Sequence, residues 1–347
     1  MTAPVRPARV AGPLRVGVDI GGSKVAVLVV AADGAVLARR SVAAVSSEPD
    51  DAIAQITGVI RDAVAEAGAT MAEVEAVGLG VPGRVDTASG DVTFAVNLGW
   101  QHLPLGRRLA TSLGVPCVVE NDVRAAAVGL HRDAQFRGPD DLVYLGIGTG
   151  ISAGVVLDGR LHRGVRGLAG EIGHVVLDPD GSACACGLRG CFETIAGGAG
   201  IARAARTAID AGEATSLAGG DGTGRDRASD GPSAADVFAA AETGDLLARR
   251  LVDTAAAAIA RMIHELVLAY DVELVVIGGG ISRAGAPLLD RILAGLKRIA
   301  APSAFAAELL SETDVRLAGP DHDIGTRGAI ALLDPVAKEV VAREAMV

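Results

Sequence analysis

Four potential metal ligands lie in one short stretch of the sequence. His174, Cys184, Cys186 and Cys191 follow the pattern H-x9-C-x-C-x4-C. Three thiolates and one imidazole are the ligand set of a closed tetrahedral zinc site. Because no coordination position would stay open for water, we predict a structural Zn²⁺ that braces the surrounding loop. Core cysteines grouped by chance are the weaker alternative, and the remaining Cys117, in an apolar strand, is predicted to pack in the core.

Three glycine-rich turns each follow a run of apolar residues. They are Asp19-Ile20-Gly21-Gly22-Ser23-Lys24, Gly146-Ile147-Gly148-Thr149-Gly150 and Gly278-Gly279-Gly280. Glycines allow backbone N–H groups to approach phosphate oxygens, and the carboxylate of Asp19 is suited to orient a hydrated Mg²⁺. One such turn is often only a tight hairpin. Three together favour a polyphosphate ligand.

Further polar residues end a predicted strand and accompany the metal motif. In Glu120-Asn121-Asp122 a carboxylate is suited to accept the proton of an attacking hydroxyl, while Asn121 hydrogen-bonds the substrate. The alternative is a helix N-cap, which is the stronger interpretation of this motif taken alone. Glu171, His174 and Glu193 add two carboxylates and an imidazole, a set of groups that suits a polyol.

The hydrophobic pattern predicts the elements that would position these residues. Leu14–Ile20 and Val25–Val30 are typical of a hairpin with a glycine-rich tip. The same pattern returns at Leu142–Ile147, which a second glycine turn separates from a strand ending at Val156. We therefore predict an internally duplicated chain.

Helices and buried strands alternate elsewhere. A long helix is predicted over Gly244–Tyr270, and strands over Val77–Gly80, Cys117–Glu120 and Leu274–Ile277. This alternation is typical of an α/β fold. An earlier helix is predicted from an apolar face formed by Ile53, Ile56, Val59, Ile60 and Val64.

Size and charge limit the possible functions. A chain of 347 residues, 50% of them hydrophobic, predicts two domains with a cleft between them. Asp and Glu number 42 against 32 Lys and Arg, so the net charge of -10 argues against a nucleic-acid partner. Without an apolar run of membrane-spanning length or a signal peptide, we predict a cytoplasmic protein with no membrane partner. Residues 1–13 are predicted to be a disordered tail and 212–232 a flexible loop.

The combination of motifs resembles the ROK family (repressor/ORF/kinase) of sugar kinases and sugar-responsive repressors, in its glucokinase-like form. The resemblance runs from about residue 14 to the C-terminal helix. It is carried by Asp19-Ile20-Gly21-Gly22-Ser23-Lys24, Glu120-Asn121-Asp122, Gly148-Thr149-Gly150, Glu171-x-Gly173-His174 and Cys184-x-Cys186-Gly187-x-x-Gly190-Cys191-x-Glu193.

The resemblance implies a fold, cofactors and an assembly. The fold would be the two-lobed, ribonuclease H-like α/β fold of the actin and hexokinase ATPases, with internal duplication and a zinc-binding loop. Residues 14–122 and 328–347 would form a smaller N-terminal lobe, and 123–327 a larger C-terminal lobe that contains the zinc motif. ATP and Mg²⁺ would join the structural Zn²⁺, and the protein would be a homodimer or homotetramer.

The resemblance also implies residue roles. Asp122 would be the catalytic base and would contact the sugar, and zinc-bound His174 would contact the sugar through its other nitrogen. The other sugar ligands would be Gly83, Asn97, Asn121, Glu171 and Glu193. The phosphates would be held at Asp19, Gly21, Gly22, Ser23, Lys24, Gly148, Thr149 and Gly150, and adenosine near Gly279 and Gly280.

Three positions depart from the family pattern. Ser23 replaces the usual Thr but keeps the hydroxyl. Arg124 stands where Asn is more common, and we expect it to contact phosphate or to alter the floor of the pocket. Ser152-Ala153-Gly154 replaces a glycine run, which would stiffen the second hairpin.

We therefore expect an ATP-dependent hexose kinase of the glucokinase type, which phosphorylates glucose or a similar sugar at its 6-hydroxyl. A kinase for N-acetylmannosamine or N-acetylglucosamine is the nearest alternative, and it would need room for an acetamido group beside Glu171 and Glu193. A non-catalytic sugar-sensing regulator would keep the sugar site, but family repressors add an N-terminal DNA-binding domain and only a short tail precedes Leu14. A zinc-ribbon interaction module would leave the three glycine turns unexplained.

Overall fold

The structure is a computed structural model that describes residues 12–133, 139–219, 231–319 and 323–334. The strands are β1 Leu14–Ile20, β2 Lys24–Val30, β3 Val36–Ala43, β4 Val74–Val81, β5 Arg84–Asp86, β6 Asp91–Ala95, β7 Trp100–Leu103, β8 Cys117–Asn121, β9 Leu142–Ile147, β10 Ile151–Leu157, β11 Arg160–His162, β12 Leu274–Gly278 and β13 Asp314–Leu317. The α-helices are α1 Pro49–Glu66, α2 Leu105–Leu113, α3 Asp122–Arg132, α4 Phe192–Ala196, α5 Gly198–Asp210, α6 Ala234–Glu242, α7 Leu246–Tyr270, α8 Ala286–Ala300, α9 Ala304–Ser311 and α10 Ile324–Ala331.

The chain divides into two compact units. The first contains residues 1–140, 158–169 and 323–347, and the second contains 141–157 and 170–322. The two units are nearly equal in length, whereas a smaller and a larger lobe were expected. They also differ in the assignment of α3, which was expected in the C-terminal lobe and belongs to the first unit. The reason is helix packing, since a Cβ atom at Gly328 of α10 would lie only 2.2 Å from the carbonyl oxygen of Ala125 in α3. Most of the expected tail and of the 212–232 loop lies outside the described residues.

The main sheet of the first unit has the strand order β3-β2-β1-β4-β8. β1 pairs antiparallel with β2, whereas β1, β4 and β8 run parallel. The register pairs Asp19 with Gly80, and Gly80 with Glu120. Because parallel strands end at the same edge, the first glycine turn and the start of α3 lie at one edge of this sheet.

The second unit repeats this arrangement. Its strands run in the order β10-β9-β12-β13, the counterpart of β2-β1-β4-β8, with β9 antiparallel to β10 and parallel to β12. The expected internal duplication is confirmed. Gly146 pairs with Gly278, so the second and third glycine turns also leave the sheet at a common edge.

Each unit has its own apolar core. The five residues of the expected apolar face of α1 are all buried in the first core. The long helix α7 packs in the second core and begins at Leu246, two residues later than expected, because Asp245 is its N-cap. Among the helices of the described residues, none has both the length and the hydrophobicity that a membrane crossing requires.

The Asp245 cap predicts a measurable contribution to stability. Its carboxylate accepts hydrogen bonds from the Ala248 N–H, the Thr215 hydroxyl, and the N–H and hydroxyl of Ser216, at 2.6–2.9 Å. Burial alone would raise the pKa of Asp245, but these bonds outweigh it and lower the pKa to about 2. We expect Asp245→Ala to reduce the free energy of unfolding in urea by about 1 kcal/mol at pH 7.

The pH dependence provides a check on this prediction. A carboxyl with a depressed pKa in the folded state stabilises the fold above its unfolded pKa of about 4, and this contribution is lost as the pH falls through the folded value. The difference between wild type and Asp245→Ala should therefore shrink between about pH 4 and pH 2. Asp253→Ala is the matched control on α7, because the Asp253 ion pair with Arg291 is exposed and should contribute little. Equal losses in both variants would contradict the prediction.

Candidate functional site

Asp122 is the first residue of α3 and is half-buried. Its Oδ1 accepts a hydrogen bond of 2.9 Å from the N–H of Val123. A Cβ atom at Gly80 would lie 3.2 Å from the Asp122 Cα atom, so β4 passes close beneath the start of the helix. The carboxylate thus lies at the N-terminus of a helix, beside the end of β4.

Asn121 is the N-cap of α3 and is buried. Its Oδ1 accepts hydrogen bonds of 3.1 Å from the N–H groups of Val123 and Arg124, and its Nδ2 donates to the carbonyl oxygen of Gly83 at 3.1 Å. The helix-cap interpretation is therefore correct for this residue. Asn121 also fixes the Gly83 turn, whose glycine has a φ of 93°.

The first glycine turn is closed by a hydrogen bond of 2.9 Å from the Gly21 N–H to the Lys24 carbonyl oxygen. Gly22, Ser23 and Lys24 are exposed at its tip, and a Cβ atom at Gly22 would lie 3.8 Å from the Cβ atom of Asn97. The predicted phosphate and sugar residues Gly22 and Asn97 are therefore neighbours.

Asp19 is held at the base of this turn. A Cβ atom at Gly325, in the first turn of α10, would lie 2.5 Å from the Asp19 carboxylate, so a side chain there would displace Asp19. Burial raises the pKa of Asp19, and the charge of Lys24 partly opposes this shift. A bound divalent cation would favour the ionised carboxylate.

The second and third glycine turns lie together in the second unit. The Gly148 N–H donates to the Gly150 carbonyl oxygen at 2.9 Å, and the Gly198 N–H at the start of α5 donates to Gly148 at 2.8 Å. A Cβ atom at Gly279 would lie 2.4 Å from the carbonyl oxygen of Ile147, at the end of β9. The third turn thus packs against the end of β9, the strand that leads into the second turn, where Thr149 is exposed.

The expected metal ligands form a cluster. One ligand atom each from His174, Cys184, Cys186 and Cys191 lies within 4.8 Å of the other three. The Sγ atoms of Cys186 and Cys191 are 3.6 Å apart, and Cys184 Sγ is 3.6 Å from His174 Nδ1. Tetrahedral zinc with Zn–S bonds near 2.3 Å requires S···S separations of about 3.8 Å, so the donors fit that ion.

The thiols of the cluster differ in acidity without metal. Burial raises the pKa of Cys184 to about 12 and also raises the pKa of Cys191. A hydrogen bond from the Leu188 N–H lowers the pKa of Cys186. Metal binding would release protons from these thiols.

Glu193 lies between the metal cluster and the second glycine turn. Its Oε1 is 3.1 Å from Cys184 Sγ and 3.6 Å from His174 Nδ1, and its Oε2 would lie 3.0 Å from a Cβ atom at Gly150. His174 directs Nδ1, and not Nε2, to Cys184 and Glu193. Glu171 precedes the short 3-10 helix Ile172–His174 and is half-buried.

Arg124 differs from the expectation. Its side chain is buried, and it donates to the carbonyl oxygens of Gly167 and Ala169 instead of extending towards a ligand. The expected contact with phosphate is therefore wrong. Cys117 packs in the first unit as expected, where burial raises its pKa to about 12.

The sequence reasoning missed three residues that shape these sites. Arg163 forms a buried ion pair with Glu120, Gly325 packs against Asp19, and Gly198 binds the second glycine turn. Gly198 follows Gly197, and this glycine pair was a usable signal. No local pattern marks Arg163 or Gly325, which contact partners far away in the sequence.

Comparison with known proteins decides the family. The model of the ROK family matches residues 15–335. This chain belongs to the ROK family. The ROK glucokinase of Streptomyces griseus, solved in complex with glucose and AMPPNP, superimposes with a TM-score of 0.77 at 33% identity and covers 92% of this chain and 98% of its own.

Two further relatives are named as kinases of different sugars. The glucokinase of Halalkalibacterium halodurans is 33% identical over 319 residues, which cover 90% of this chain and 92% of the relative. The N-acetylmannosamine kinase of Escherichia coli O1:K1 is 33% identical over 323 residues, covering 91% and 96%. The match to the Streptomyces griseus structure confirms the predicted α/β fold, and the grouped ligand atoms confirm the predicted Cys₃His cluster.

Proposed function

We propose that this ROK protein is an ATP-dependent sugar kinase of the glucokinase type, which phosphorylates the 6-hydroxyl of glucose or a similar hexose. The observation that carries the proposal is the position of Asp122 at the start of α3, at the sheet edge that also holds Asp19 and the first glycine turn. A general base beside a phosphate-binding turn suits phosphoryl transfer to an alcohol. The glucokinase relatives support the same activity.

In the proposed reaction, Asp122 accepts the proton of the 6-hydroxyl as the sugar oxygen attacks the γ-phosphorus of ATP. The new P–O bond forms while the bond to the β-phosphate oxygen breaks, and ADP leaves. N–H groups of the glycine turns at Gly21–Gly22 and Gly148–Gly150 hydrogen-bond the phosphates. Asp19 would hold hydrated Mg²⁺, which neutralises phosphate charge when bound.

Sugar recognition is proposed for residues that present hydrogen-bonding groups. Glu171, Glu193 and His174 Nε2 would bind hydroxyls, with the zinc cluster fixing His174 through Nδ1. The backbone at Gly83, and the side chains of Asn97 and Asn121, would complete the set. Gly279 and Gly280 would contact adenosine.

A kinase for N-acetylmannosamine is the second candidate, because the Escherichia coli relative with that name matches over nearly the same share of the chain. Either kinase would act in the cytosol, where ATP is available and the thiols of the cluster stay reduced. A homodimer or homotetramer is proposed from the resemblance, and light scattering after gel filtration would measure it.

The deciding experiment is a coupled ADP-release assay with Mg-ATP against glucose, mannose, N-acetylglucosamine, N-acetylmannosamine and fructose. Turnover with one of these sugars supports the kinase, and the ratio of kcat/KM values identifies the preferred acceptor. If a sugar raises the melting temperature without any ADP release, the protein is a sugar sensor and the kinase proposal is wrong.

Gly279 provides a separate test of the nucleotide site. Its φ of 82° and the carbonyl oxygen of Ile147 leave no room for a side chain. We expect Gly279→Ala to lower kcat/KM for ATP by about 10- to 100-fold through displacement of the turn. Gly58→Ala is the control, because a Cβ atom at this helical glycine meets open space. Unchanged ATP kinetics in Gly279→Ala would remove this turn from the nucleotide site.

A further inference from the structure

Three charged side chains form a buried cluster in the first unit. Glu120 and Arg124 are each only 1% exposed, and the Arg163 side chain is 10% exposed. Glu120 Oε2 accepts a hydrogen bond of 2.6 Å from Arg163 Nε, and its Oε1 lies 3.5 Å from Arg124 Nη1. The proposed chemistry uses none of these groups.

Arg124 makes two hydrogen bonds to the segment 163–169, whose first residue is Arg163. Its Nη2 donates to the Gly167 carbonyl oxygen at 2.6 Å, and its Nε to the Ala169 carbonyl oxygen at 3.4 Å. Within the segment, Val165 is fully exposed and Leu168 is 40% exposed. Because these apolar side chains lie in solvent, polar contacts and not hydrophobic burial hold this part of the segment.

The geometry needs a guanidinium. A planar fork of N–H donors hydrogen-bonds two carbonyl oxygens while its Nη1 stays 3.5 Å from a carboxylate, whereas a lysine ammonium is a single point of charge. An apolar replacement often stabilises a protein as well as a buried ion pair does, so stability alone does not account for this cluster. The fixed geometry of the fork is what such a replacement would remove.

We propose that Arg124 is a positioning residue that ties segment 163–169 to the helix beginning at Asp122. The segment and Asp122 both belong to the first unit, so the bonds of Arg124 connect the segment to the start of the helix that carries the proposed base. This inference rests on the proposed kinase function for its effect on turnover, but the local tie is independent of function.

The first test measures the tie itself. Amide hydrogen exchange in peptides covering 163–169 is compared between wild type, Arg124→Lys and Arg132→Lys. The Ala169 and Gly167 N–H groups are hydrogen-bonded within the segment, so their protection reports its order. We expect exchange at least tenfold faster in Arg124→Lys only. Arg132 is the matched control, because it lies on the same helix α3 as Arg124 but pairs with Asp334, which follows α10.

The second test measures the consequence. In the ADP-release assay, Arg124→Lys should lower kcat/KM for the sugar by about 10- to 100-fold while the KM for ATP stays within about twofold. If Arg124→Lys does not fold, Arg163→Lys is the substitute, because it weakens the hydrogen bond between Arg163 and Glu120 Oε2. It should show a smaller fall in kcat/KM for the sugar, again with the KM for ATP nearly unchanged. If the wild-type protein showed no turnover, the kinase proposal would be wrong, but the exchange result would still stand. If Arg124→Lys matched Arg132→Lys in both amide exchange and kinetics, the positioning role of Arg124 would be wrong.

Discussion

Replacing Asp122 with asparagine is expected to lower kcat by about 10²- to 10⁴-fold, the usual contribution of a general base. Asparagine keeps the shape of the side chain and an Oδ1 that can accept the bond from the Val123 N–H. The start of α3 should therefore stay folded. What is lost is the group that takes the proton of the sugar hydroxyl.

The coupled ADP-release assay measures this loss, and calorimetry measures sugar affinity in the same variant. We expect the dissociation constant of the sugar to change by less than about tenfold, because hydrogen bonding to the hydroxyl remains possible. Asp62→Asn is the control, since Asp62 only pairs with Arg40 at the surface of the first unit. A variant with more than a tenth of wild-type kcat would show that the base is another residue.

The strands and turns of both units could be predicted because their signals are local. β1 ends just before Gly21 and β2 begins at Lys24, whereas β9 ends just before Gly148 and β10 begins just after Gly150. These bounds are within one residue of those expected. The start of α7 was missed by two residues, because Asp245 is a better N-cap than the glycine before it.

The metal ligands could be predicted from the sequence, whereas the contacts of Arg124 could not. The metal ligands come together because the chain turns tightly over a few residues, as the spacing indicated. The role of Arg124 was not predictable, since its partners Gly167 and Ala169 lie more than forty residues away. The assignment of α3 to the first unit depends similarly on α10, which is distant in the sequence. Long-range packing of this kind leaves no periodic signal.

Loss of the metal is expected to have the second large effect. Replacing Cys191 with serine removes one ligand of the cluster, and the metal-binding free energy of a structural zinc site is folding free energy for its loop. We expect no bound zinc in this variant, a stability loss on the order of several kcal/mol, and at least a 100-fold fall in kcat/KM for the sugar. The kinetic loss follows because Glu193 and His174 contact each other and Cys184 in the cluster.

Metal analysis, urea unfolding and the ADP-release assay together test this expectation. Wild type should contain about one zinc ion per chain. Cys117→Ser is the matched control, because this half-buried thiol lies outside the cluster and should leave the zinc content and the sugar kinetics unchanged. If Cys191→Ser without zinc kept wild-type kcat/KM, the cluster would not position the sugar ligands. If Cys191→Ser lost stability but its folded fraction kept wild-type kinetics, the role of the metal would be to stabilise the loop only.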